Sequence, residues 1–208
     1  MNEAVKVIEV DDKIVEIHYD EGANSPRVEW DNDDKFCCFH RRYTLPNDTN
    51  YKQGDFNSWE EMEEQIKKDY DVLEILPIYM YDHSGITIST SHEYPFNDRW
   101  DSGKIGFIFI TKEDARKSHM VKRISKKVKE QVHKNLLANV AVYGEYLSGQ
   151  VYGYIIKNKE TDEELESCWG FYGMEDVEKE AESVAKCIVI PPKPQVENKD
   201  QLQLSLDN

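Results

Sequence analysis

Three short stretches of this chain gather residue types that catalysis uses: Tyr81-Asp82-His83-Ser84-Gly85, Arg99-Trp100-Asp101-Ser102-Gly103, and Ser167-Cys168-Trp169-Gly170-Phe171-Tyr172-Gly173. Histidine titrates near neutral pH, so His83 beside carboxylates has the chemistry of a general base. A cysteine paired with such a base becomes a nucleophile. Asp82, His83, Asp101 and Cys168 are therefore the candidate catalytic residues. The same residue types also build turns. Asp and Ser side chains accept hydrogen bonds from nearby backbone amides, and Gly85 and Gly103 can supply positive φ, leaving Trp100, Trp169 and Phe171 as core anchors. Turn chemistry explains these residues without a substrate, and no G-x-S-x-G elbow, H-E-x-x-H pair or P-loop adds a mechanism. Phe36-Cys37-Cys38-Phe39-His40-Arg41-Arg42 reads as a buried strand with a wet basic end rather than a ligand set.

Charge is distributed unevenly. The chain has 208 residues, 41 of them acidic and 26 basic, for a net charge of -15. Broad adhesion to DNA or to an anionic membrane is disfavoured over such a surface. Between Lys112 and Lys134, however, nine basic residues face only three acidic ones. A basic helix can track a phosphate backbone, which makes Lys122, Arg123, Lys126 and Lys127 candidates for DNA contact. Aromatic residues for base stacking are missing from this segment, and such a helix is more often a solvated face balanced by acids elsewhere.

The four cysteines, Cys37, Cys38, Cys168 and Cys187, show no CxxC spacing. Reduced thiols in a cytoplasm are expected, with no zinc site, no other metal and no cofactor. No apolar run reaches the roughly 20 residues of a membrane helix, and the start MNEAVKVIEV lacks the character of a secretory signal. The expected location is the cytoplasm of a bacterial host cell, with no membrane partner.

These residues need elements to position them. Alternation over Val5–Val10 and Ile14–Tyr19 about Asp11-Asp12 predicts a β-hairpin. A second strand pair is expected at Arg27–Trp30 and Phe36–Arg42 across Asp31-Asn32-Asp33-Asp34. Ser58 and Glu61 have capping-box spacing, which predicts a helix from Trp59 to about Tyr70. Leu73–Tyr81, Ile86–Thr90 and Lys104–Ile110 (KIGFIFI) read as strands. Thr111 caps the next helix, which has a break near Ser118–Ser125 and continues to Gly149. Val151–Ile156 and Leu165–Trp169 form a last hairpin, followed by a helix over about Glu175–Lys186. The pattern predicts an α+β fold: a single domain, mainly an antiparallel sheet covered by helices, with a flexible C-terminal tail. The globular body is expected over 1–190, a Pro-rich and polar linker over 191–200, and a separate peptide over 201–208.

That peptide contains Gln201-Leu202-Gln203-Leu204-Ser205-Leu206, whose alternate leucines share one edge of an extended chain. The hexapeptide resembles the bacterial sliding-clamp-binding motif of Gln, Leu, any residue, Leu, any residue, then Leu or Phe. By that resemblance Gln201 would hydrogen-bond in a polar subsite of the clamp, Leu202 would support the turn, and Leu204 and Leu206 would fill the hydrophobic pocket. The body, over about residues 28 to 185, resembles an uncharacterised family of small proteins of bacteriophages and mobile elements. The series DHSG, WDSG, VYGY and SCWGFYG carries that likeness. It implies an accessory protein that redirects host machinery or blunts host defence. The expected function is binding of the bacterial DNA polymerase sliding clamp to modulate or inhibit replication and repair. The alternatives are a counter-defence enzyme built on the Asp/His/Cys residues and an acidic mimic of nucleic acid.

Overall fold

In the computed structural model, which describes residues 3–91, 95–96 and 100–191, the first hairpin forms where the alternation places it. Strands β1 (Lys6–Val10) and β2 (Lys13–Tyr19) pair antiparallel across a turn in which Asp11 takes a φ of 54°. Across the rest of the chain β2 meets β7 (Val151–Asn158), which in turn pairs with β8 (Glu164–Tyr172). The result is a four-stranded antiparallel sheet in the order β1-β2-β7-β8. Helix α5 (Met174–Cys187) buries Val177, Ala181 and Ala185, spaced one turn apart, against Val15, Ile17, Tyr154 and Ile156.

Everything between these two hairpins builds a second sheet. Strands β3 (Lys35–Cys38), β4 (Val72–Asp82), β5 (Ile86–Thr90) and β6 (Ser102–Thr111) stand in the order β3-β6-β4-β5, all antiparallel. Helix α2 (Trp59–Asp69) packs Met62 and Ile66 on Cys37, Phe107 and Phe109, at one face. After the short α3 (Lys112–Ser118), α4 (Lys126–Leu147) packs Val132, Leu136, Val140 and Tyr143 on Leu76, Ile78, Met80 and Ile108 at the other. A strand covered on both faces must be apolar on both, which accounts for KIGFIFI. Its phenylalanines turn to α2 and its isoleucines to α4. The body is thus one α+β domain containing two antiparallel sheets where one was expected.

The caps work as their spacing predicts. The Ser58 hydroxyl accepts from the Glu61 N–H at 3.2 Å and that of Thr111 from the Asp114 N–H at 3.1 Å. The Glu61 carboxylate accepts from Asn57, whose N–H lies at 2.8 Å. The break after Ser118 is real, and Gly149, at a φ of 72°, ends α4.

One expected strand is not formed. Pro26–Glu29 is the short helix α1, with Ser25 as its cap and Pro26 at its first turn, and β3 pairs with β6 instead. Proline at the first helical position is favourable because its missing N–H would have no partner there. The turn also aims Arg27 inward. Its guanidinium donates to Asp34 at 2.7 Å and to Asp48 at 2.8 Å, and lies 4.4 Å from the centre of the Phe36 ring. Asn139 of α4 donates to the same buried Asp34. A strand would have exposed this charge to no purpose.

Two glycines set close approaches. At Gly106, φ 155°, an added Cβ would stand 2.1 Å from the Cys37 carbonyl oxygen, so β3 and β6 meet at this point only through glycine. At Gly153 a Cβ would stand 2.2 Å from the Trp169 ring, which lies flat across the strand. The linker beyond 191 and the peptide residues Gln201, Leu202, Leu204 and Leu206 lie outside the described residues.

Candidate functional site

The long pairing of β4 with β6 brings the first two chemical clusters together. Tyr81 stands opposite Ser102, and the Asp82 N–H donates to the Asp101 carbonyl at 2.8 Å. Past the strand ends, Asp101 Oδ2 lies 2.9 Å from His83 Nδ1, a pair in which both side chains are largely exposed. Asp82 turns the other way. Its carboxylate accepts from the Arg42 guanidinium and, through both oxygens, from the Tyr43 hydroxyl at 3.1 Å. Burial and then this carboxylate push the Tyr43 phenol above its ordinary value. The His40 ring stacks on Tyr43 with centres 5.0 Å apart. Burial first, and the Arg42 charge next, hold His40 below its usual range.

His40, Arg42, Asp82, Asp101 and Ser102 border a cleft of about 740 Å³ at this end of the second sheet, whereas Tyr43 and His83 do not line it. One wall is the Phe39–Arg42 run that follows β3, the wet basic end expected from the sequence. A second is Lys52–Asn57 and the start of α2, including Phe56 and Trp59. The third is Trp100–Ile105, which opens β6, with Met80 and Asp82 of β4 beside it. The Lys104 ammonium lies 5.2 Å from the Phe107 ring centre and 5.9 Å from that of Tyr79. The Glu60 carboxyl sits below its ordinary range, through its own backbone N–H first, then the Ser58 hydroxyl, with Lys104 assisting.

The turn reading holds for part of these clusters. Ser84 (φ 58°) and Gly85 (φ 157°) turn β4 into β5. Gly103, in contrast, lies inside β6 without positive φ, and Trp100 is 96% exposed, so it anchors no core. Cys168 is not part of this group. It projects from the exposed edge strand β8 of the first sheet, opposite Tyr154, and does not line the cleft. Asp82, His83 and Asp101 converge without their proposed nucleophile, and Asp82 is committed to Arg42 and Tyr43. A His83–Asp101 couple can take or hold a proton, and covalent chemistry through Cys168 has no geometric basis here.

The basic segment is divided as well. Lys122 and Arg123 lie in the connection between α3 and α4, and Lys126 and Lys127 form the exposed first turn of α4. No acidic residue occupies that turn, so lysines face the positive end of the helix dipole, a placement that costs a few tenths of a kcal/mol each. This segment follows the C-terminal end of β6, whereas the cleft lies at its N-terminal end, about 30 Å of strand away. Carboxylates elsewhere are interleaved with lysines, as in Lys6–Glu178, Lys157–Glu16, Lys159–Glu9 and Lys67–Glu63.

Among the described residues, no three His, Cys, Asp or Glu side chains are placed to hold a metal ion, and no helix is long and apolar enough to cross a membrane. Trp59, Lys52 and Lys104 enter the site without having stood out in the sequence, and Tyr43 holds Asp82 from behind it. Only the wet end of the Phe36–Arg42 run pointed to this wall. Comparison with family models, curated proteins and solved structures finds no match.

Proposed function

We propose that this chain is a phage-type accessory protein of the bacterial cytoplasm that binds the sliding clamp of DNA polymerase and thereby modulates or inhibits replication and repair. The observation that carries this reading is the hexapeptide Gln201–Leu206, in which Gln201, Leu202, Leu204 and Leu206 occupy every specified position of the clamp-binding pattern. What supports it in the body is that the described packing ends before the peptide begins. The last buried residue of α5 is Ala185, and Val189 is 86% exposed, so the chain has left the core of the first sheet by the time it reaches Pro191. The ten residues from there to Gln201 can span at most about 35 Å, enough to seat the peptide in a pocket while the body stands clear of it.

A peptide of this size buries little surface, so affinity on the order of micromolar is expected unless the body adds contacts. A clamp is a ring with one such pocket per subunit. Two copies of the chain can therefore be held at once, each body kept at high local concentration beside DNA. The test is binding of the full chain to the clamp, measured by surface plasmon resonance or calorimetry. Leu204→Ala with Leu206→Ala should abolish saturable binding; a double variant that binds as well as the parent would sink the proposal.

A further inference from the structure

We infer that the cleft between Arg41, Trp59, Trp100 and Lys104 binds a nucleobase carrying phosphate. The argument begins with charge. On a protein of net charge -15, the cleft walls bring together Arg41, Arg42, Lys52 and Lys104. Only Arg42 has a carboxylate partner within 4 Å among the described residues, namely Asp82. Arg41, Lys52 and Lys104 have no ion pair there, although 41 acidic residues are available to the fold. Glu60, Asp82 and Asp101 also line the cleft, but its four cations outnumber these three carboxylates, and a local positive excess on an acidic protein raises the local concentration of anions.

Shape and surface then narrow the anion. Phe39, Phe56, Trp59 and Trp100 line the same cleft. Trp100 is 96% exposed at the rim, a large ring presented to solvent beside the cationic wall. Inorganic anions gain nothing from such rings. A planar base stacks on them while its phosphate reaches the lysines and arginines, the combination that single-strand binders use. The volume of about 740 Å³ accommodates one nucleotide with part of a neighbour, and lies in the range of small-ligand sites. The cationic connection between α3 and α4 cannot be part of the same footprint, because it lies at the other end of β6.

The ligand is either a free mononucleotide or a nucleotide within single-stranded DNA, and one experiment separates them. Full-length protein is titrated against a fluorescent oligo-dT strand, the same strand in duplex form, and a mononucleotide over a salt series from about 50 to 200 mM. Saturable binding of the strand, weakened roughly tenfold by Trp100→Ala and losing about 0.7 in salt slope with Lys104→Gln, assigns the site to single-stranded DNA. Binding of the mononucleotide with the same dependence on Trp100 and Lys104 assigns it to free nucleotide. Three results overturn the inference: no binding of either ligand, binding indifferent to both variants, or duplex binding lost only with Lys122→Gln and Arg123→Gln. None of these results bears on the clamp peptide, so the two readings stand or fall separately.

Discussion

The two sheets are both four-stranded and antiparallel, yet they are finished in different ways. The first carries α5 along one face, while side chains of the sheet itself close the other. There the Trp169 ring lies over Gly153 beside His18, and Lys157 pairs with Glu16 at 2.8 Å. The second is covered by α2 on one side and α4 on the other, and its central strand β6 has six consecutive buried residues. Double cover fixes the strand ends. It is at such an end that the cleft is found, with Asp82 and Lys104 carried by two strands that hydrogen-bond along most of their length and Asp101 just ahead of the second. The first sheet places its chemically interesting residue, Cys168, on an edge strand, and among the described residues no second element completes a site there.

The comparison can be broken most severely at Arg27. Its side chain is buried, and removing it strands Asp34 as an unpaired charge beneath α4. Arg27→Ala should therefore cost about 3–5 kcal/mol in urea unfolding. Arg27→Lys should recover little, because one ammonium cannot serve two carboxylates in fork geometry. The same substitution placed in each sheet sharpens the contrast. Gly106→Ala drives a methyl into the backbone of β3, which α2 and α4 prevent from retreating, and should cost about 3 kcal/mol. Gly153→Ala meets the Trp169 ring, which can swing aside, and the Cys168 carbonyl oxygen at 2.9 Å, so a smaller cost of about 2 kcal/mol is expected, with a shift in tryptophan emission. Equal losses at the two glycines would mean that the faces are not differently closed.

The mildest test changes no residue. Burial pushes the Cys37 thiol up to about 11 and raises Cys38 further, whereas Cys168 and Cys187 are exposed. The thiolate is the reactive form, so near pH 8 a thiol reagent should label two cysteines rapidly in the native protein and four in denaturant. Rapid labelling of all four would show that the doubly covered sheet opens readily.

The elements were legible wherever a local signal fixed them. Ser58, Thr111 and Gly149 mark helix ends through their own backbone hydrogen bonds or positive φ, and KIGFIFI declares burial on both faces. The Arg27–Trp30 segment misleads because it has no period long enough to separate helix from strand. The Ser25-Pro26 pair was the available sign, and the burial of Arg27 depends on Asp48, far along the chain. The site was half legible. Asp82 and Asp101 stood out by type, but their meeting depends on β4 pairing with β6 past the intervening β5. That register follows from how two layers of helix are packed, and no short stretch contains it. Lys104 was hidden inside a strand, and its role emerges only once Arg41 and Lys52 stand near it.

The connection of β2 to β7 has a consequence for synthesis. Lys13 pairs with Asn158, so the opening hairpin waits for nearly the whole chain before it gains a neighbour. A lone two-stranded hairpin is barely stable in water. Meanwhile the residues of the second sheet, its two covering helices and every wall of the cleft all precede Ser148. On the ribosome the cleft can therefore be assembled first, with the first sheet closing last, like a clasp, around a body that has already folded.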